Sequence, residues 1–152
     1  MGVGAAGVAG GGGDAVTADL ALVARAGRHG PRTAIVAREG TFSYHDLLDA
    51  SHRVASSLLA ATGAADGADL AEARVAYLGP PGWHYVVSQW AIWRAGGIAV
   101  PLAVSHPPPE LDYAVVDAQA GTILTHPEFR ERLEPIARAR GARLVVTSDA
   151  LR

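Results

Sequence analysis

The sequence predicts an α/β protein in which an N-terminal hairpin and helices lead into half of a doubly wound, mostly parallel sheet. Three observations carry this. Apolar runs at 74–78, 98–101, 122–125 and 143–147 are continuous rather than alternating, as strands buried on both faces are. Helical-period segments and glycine or proline punctuation separate them, so successive runs make βαβ units with right-handed crossovers. The densest segment, Gly82 to Leu102, gathers all 3 tryptophans on one helix whose polar stripe is only His84 and Ser88. Such a helix needs cover on most sides and anchors the core.

Residues 1–18 are expected to be a disordered lead-in, with the folded unit over 19–152. Gly2-Val3-Gly4-Ala5-Ala6-Gly7 matches the letters of the dinucleotide fingerprint, but no strand precedes it to aim a phosphate at a helix, so it reads as flexible tail. Met1 to Gly13 is small and apolar and the first arginine is Arg25, which supports neither a secretory nor a mitochondrial leader. A short helix from Asp19 to Gly27 ends at Gly30-Pro31. Thr33 to Ala37 is a strand, Glu39-Gly40 a tight turn, and Thr41-Phe42 the antiparallel return. Ser43 then caps a helix, with Asp46 at its third position and Phe42 able to staple onto Leu47. The core face of that helix is Leu47, Leu48, Val54, Ala55, Leu58 and Leu59. His45, Asp49 and His52 share the opposite face, where a solvated polar surface explains them without a metal.

Thr62 to Ala73 is glycine- and aspartate-rich and is expected to be a surface loop or a short helical turn. Gly79-Pro80-Pro81-Gly82 falls at the carboxyl end of the first parallel strand, where α/β folds bind ligands. Its prolines have no N–H to offer, so it reads as a rigid turn and a poor anion cradle. Gly96-Gly97 ends the tryptophan helix. Ser105-His106-Pro107-Pro108-Pro109 is a stiff connector to a helix from about Pro108 to Ala120, ended by Gly121. Pro127 opens a further helix holding Phe129, Leu133 and Ile136, which Pro135 is expected to kink or split. The last strand spans Arg143 to Thr147.

A net charge of −2 excludes a basic nucleic-acid binder. Without cysteine there are no disulfides or thiolate metal sites. No apolar run reaches the roughly 18–20 residues that cross a bilayer. All 13 basic residues are arginine, which removes the lysine on which most phosphate loops depend.

Trp93-Arg94-Ala95-Gly96-Gly97-Ile98-Ala99-Val100-Pro101-Leu102 resembles the second core motif of the adenylate-forming superfamily, and Thr41-Phe42-Ser43-Tyr44-His45-Asp46-Leu47 resembles the first. The two stand in order, about fifty residues apart with a βαβ pattern between them. Gln89 to Trp93 and Ser105 to Leu111 are most similar to the malonyl-CoA synthetase branch. The resemblance runs from about Asp19 to Val146 and covers only the beginning of the family's fold. It implies that 19–152 is an incomplete N-terminal subdomain of an AMP-binding synthetase, whose partner is the missing C-terminal remainder of the same enzyme. In the complete enzyme it implies ATP, magnesium and coenzyme A, acting on a carboxylic acid of malonate type in the cytoplasm, with an organelle left open. None of those cofactors is expected in these residues, because the phosphate loop and both lysine roles are missing, and the chain alone is expected to be inactive.

Family members place an arginine near the nucleotide end of coenzyme A at the position of Ser105, and His106 beside it is the one candidate to donate to a phosphate; an exposed loop histidine is the alternative. Arg74 and Arg94, the arginine candidates to hold the free carboxylate of a dicarboxylic acid, sit where packing and capping explain them better. The competing function is a stand-alone, non-catalytic Rossmann-like module that binds a nucleotide or a partner.

Overall fold

The computed structural model describes residues 20–64 and 68–150, so the lead-in expected over 1–18 and its glycine motif lie outside the described residues. The elements in order are α1 (Ala21–Gly27), β1 (Thr33–Ala37), β2 (Gly40–Ser43), α2 (Tyr44–Thr62), β3 (Arg74–Leu78), α3 (Trp83–Arg94), β4 (Ile98–Pro101), α4 (Pro108–Asp117) and β5 (Thr122–Thr125). A 3-10 turn (Pro127–Phe129), α5 (Arg130–Arg140), β6 (Arg143–Val146) and α6 (Thr147–Ala150) complete them.

The hairpin β1–β2 is antiparallel, and the other four strands form one parallel sheet in the order β4-β3-β5-β6. The chain therefore enters the sheet near its middle, lays β4 on one side of β3, and crosses over to place β5 and β6 on the other. Alternate side chains of the central strands serve two cores. Val75, Tyr77 and Leu124 pack with α2 and α3, while Ala76, Leu78 and Ile123 pack with α4 and α5. Helices on both faces make this the doubly wound half-sheet that the apolar runs predict. Only β3 and β5 are buried along nearly their whole length; β4 and β6 are half-buried because each lacks a neighbour on one side.

Helix α2 begins with the expected cap. Ser43 Oγ accepts from the Asp46 N–H at 3.2 Å, and Asp46 Oδ2 accepts from the Ser43 N–H at 2.7 Å. The Ser43 hydroxyl, which also donates to Asp46 Oδ2 at 2.7 Å, and then the Ser43 N–H hold the Asp46 carboxyl below its usual range. Phe42 enters the core that holds Leu47, and its ring stacks on Trp83 with centroids 3.9 Å apart, joining hairpin to α3. Helices α4 and α5 are tied by a two-pronged contact, Arg140 Nε and an Nη donating to the Asp112 carboxylate at 2.8 and 2.6 Å.

Four boundaries differ from expectation. The two-residue turn of the hairpin is Arg38-Glu39 rather than Glu39-Gly40, because Gly40 already pairs with Ala37 as the first residue of β2. Helix α4 stops at Asp117, because Gln119 takes a left-handed conformation (φ 53°) before Gly121 is reached. Pro135 does not split α5, which runs unbroken from Arg130 to Arg140; the break falls earlier, where the 3-10 turn meets Arg130. At the sixth position of the helix, Pro135 removes only the donor to the Glu131 carbonyl, an exposed first-turn group that water can satisfy. Thr147 opens α6 rather than ending β6.

Arg94, 7% exposed, has the packing role expected of it: its Nη1 donates to the Leu48 carbonyl and, at 2.8 Å, to Ser51 Oγ, joining the end of α3 to α2. Burial lowers its pKa, and its Nε has no partner among the described residues. Removing the guanidinium takes both of these charge-assisted hydrogen bonds from the junction, although Ser51 Oγ still donates to the Leu48 carbonyl at 3.2 Å. Arg94→Ala is accordingly expected to lower stability by about 2–3 kcal/mol, read as a shift in the denaturant midpoint at unchanged slope.

Candidate functional site at the switch point

Leu78 and Thr125, the last residues of β3 and β5, stand side by side in the sheet. The chain leaves β3 toward one side and reaches β5 on the other, so the loops after these two strands diverge and leave a crevice between them, the usual ligand position in an open α/β sheet. Its volume is about 460 Å³. Pro80 and Pro81 wall it, His84 enters from α3, His126 and Glu128 from the loop after β5, and Arg38 and Glu39 from the hairpin tip.

Glu39 decides what this crevice can hold. Helix α3 has no acidic residue in its first turn and no side-chain cap of its own. Glu39, 44 residues earlier, supplies both: its Oε1 accepts from the Trp83 N–H at 3.2 Å. The approach is possible because residue 82 is glycine; a Cβ there would lie 2.6 Å from Oε1, and φ is 148°, a region few side chains tolerate. A carboxylate thus occupies the helix end that would attract a phosphate. The proline turn is a poor anion cradle, as its sequence suggests, and Glu39 makes it a worse one.

The imidazoles of His84 and His126 meet edge to face, centroids 4.7 Å apart and planes at 71°. His84 Nδ1 is buried without a hydrogen-bond partner among the described residues. Burial, and then His126, push its pKa down, against an opposing pull from Glu39. His126 Nδ1 accepts from the Glu128 N–H at 3.3 Å, with the Glu128 carboxylate 3.8 Å away. Across Pro81 lies a second hollow of about 300 Å³, lined mainly by apolar groups from Tyr85, Leu102 and Val104. Tyr85 also lies against Tyr77, centroids 5.0 Å apart, whose phenol is pushed well above its ordinary value by burial.

His106 is not brought to either hollow. It lies on the exposed connector with its Nε2 3.7 Å from the Glu110 carboxylate, and its carbonyl accepts from Arg132. Ser105, its neighbour, does reach the apolar hollow. On α2, Asp49 pairs with Arg53 at 2.8 Å, and His45 lies against Gly30. Among the described residues no three such side chains converge on a metal-sized site. What the residues alone did not announce is the grouping of Glu39, His84 and His126. Strand order was the missing information, since only the crossover past β3 sets the β5 loop beside the β3 loop. The available signal was a glycine ahead of a helix lacking an acidic first turn, which asks for a cap from elsewhere.

A family model described as AMP-binding enzyme matches residues 22–151. The human malonate–CoA ligase ACSF3, mitochondrial, is 37% identical over 127 residues, covering 84% of this chain and 22% of that protein. The Xenopus laevis protein of the same name is 35% identical, over 85% of this chain and 22% of its own length. Among solved structures, apo MatB from Rhodopseudomonas palustris matches with a TM-score of 0.71 and 28% identity, covering 86% of this chain and 27% of that one. The ATP-bound form of that protein matches at 0.69 and 29%, over the same shares. The chain thus spans about a fifth of the length of the curated relatives it matches.

The Glu39 cap can be tested by itself. Glu39→Ala is expected to lower stability by about 1 kcal/mol, and Gly82→Ala by about 1–3 kcal/mol from the backbone alone. The double variant should cost less than the sum, since removing the carboxylate clears the 2.6 Å overlap; unfolding midpoints of the four proteins measure the coupling.

Proposed function

The chain belongs to the AMP-binding enzyme family, and on that premise we propose that it is the N-terminal part of an acid–thiol ligase that joins malonate, or a similar short dicarboxylic acid, to coenzyme A. One observation carries the reading: the identity of 35–37% to proteins named malonate–CoA ligase extends over 84–85% of these residues. The reaction it implies consumes ATP, releasing pyrophosphate as the acyl-adenylate forms and AMP as the thiol of coenzyme A displaces it.

The residues described do not fit a nucleoside triphosphate. The sequence contains no lysine, and the one helix end facing the switch-point crevice already holds the Glu39 carboxylate. No catalytic step is therefore assigned to them. In this reading residues 19–152 are an incomplete N-terminal subdomain that buttresses a site built by the rest of the enzyme, and their partner is that remainder. ATP, magnesium and coenzyme A bind there. His106 is the single position offered as a contact, to a phosphate of coenzyme A, and Glu110 beside it competes for the same ring.

Residues 1–152 alone are expected to release no pyrophosphate from ATP and malonate, because each missing charge-stabilising contact costs about 10²–10³ in rate. Pyrophosphate formation by the isolated chain, dependent on both substrates, would overturn the assignment of catalysis to the remainder. In a protein of the relatives' length, preference for a medium-chain fatty acid over malonate would overturn the branch and leave the family standing. There, His106→Ala should raise the KM for coenzyme A with kcat unchanged; an unchanged KM removes the contact.

A further inference from the structure

Two imidazoles span the switch-point crevice, one from each of the loops that border it. His84 stands on the first turn of α3 and His126 on the loop after β5, edge to face at 4.7 Å. Such a contact favours neutral rings, and two positive charges at this separation repel. The surroundings of His84 reinforce its neutrality. A charged His84 carries an N–H at Nδ1, and that buried atom has no acceptor among the described residues. His126 Nδ1 accepts the Glu128 N–H and caps the 3-10 turn, which ties the ring to the loop after β5.

We propose that His84 and His126 form a proton-sensitive latch: neutral, they hold the loop after β3 to the loop after β5, and proton uptake by the pair parts the loops and widens the crevice. The groups facing the pair do not cancel this. Glu39 favours a charged His84 but is committed to the Trp83 N–H, Glu128 stands 3.8 Å from His126 Nδ1 and is exposed, and Arg38 adds positive charge to the same crevice. His84, held below its ordinary value of 6.5 by burial and by His126, sets the sign. The open form binds more protons, so closure is complete above the ordinary histidine value and is lost as pH falls below it. The latch concerns this chain's own loops and stands apart from the ligase reading.

Amide hydrogen exchange of the 152-residue chain, read by mass spectrometry and corrected for the intrinsic pH dependence of exchange, tests it. Protection over 79–85 and 126–130 should fall between about pH 7 and pH 5, by up to about tenfold per pH unit for each linked proton. Protection over the middle of α2 should not change with it. His84→Gln should flatten the dependence. So should His126→Asn, which keeps an acceptor for the Glu128 N–H and so preserves the turn. A structural role for the rings would lower protection at every pH without altering the slope. A flat profile in the unaltered chain, or a slope retained in both variants, would overturn the latch.

Discussion

The hairpin and the parallel sheet are separate hydrogen-bonded units, and besides their shared packing on α2 they are joined directly at the N-terminus of α3. There a carboxylate from the hairpin tip lies against the backbone at residues 82 and 83, and the Phe42 ring lies flat on Trp83. The polar contact gives direction and the stacked rings give area. A helix without its own cap would leave its first N–H groups to solvent beside a crevice; borrowing a cap from the hairpin removes that cost and fixes the hairpin's angle. The same contact sets the character of the crevice, since the positive helix end is spent internally.

At the other end of α3, Arg94 performs the corresponding task toward α2. The tryptophan helix is therefore pinned at both ends by polar contacts and along its length by apolar packing against β3. Its turn into β4 is close for the same reason: at Gly97 a Cβ would come within 3.0 Å of Leu70 and 3.1 Å of Ile92. Residues 93–102, which resemble a family motif, include both of these close contacts, the Arg94 guanidinium and the Gly97 turn.

Much of the fold was legible because the signals were local and redundant. Strand β3 begins and ends where its apolar run does, the Ser43 cap forms with Asp46, and the antiparallel hairpin joins the expected strands, one residue earlier in its turn. The misjudged boundaries depended on neighbours. Gln119 adopts a conformation usually left to glycine, and Pro135 is tolerated because the preceding 3-10 turn shifts it into an exposed early position. The candidate site was the least legible part. Its members come from the hairpin, α3 and the β5 loop, and no spacing rule links Glu39, His84 and His126 until the strand order is known.

The order in which these pieces can meet is itself constrained. A growing polypeptide presents the hairpin first, and Glu39 stays hydrated until the chain 44 residues further on has wound its first turn of α3. Strand β3 then waits again, with β4 available on one side and β5 emerging only after another helix. Each wait adds loop-closure entropy before a contact rewards it. The Glu39 cap is thus a non-local contact, and a nascent chain interrupted before α3 leaves it unmade, with the hairpin resting on α2 alone.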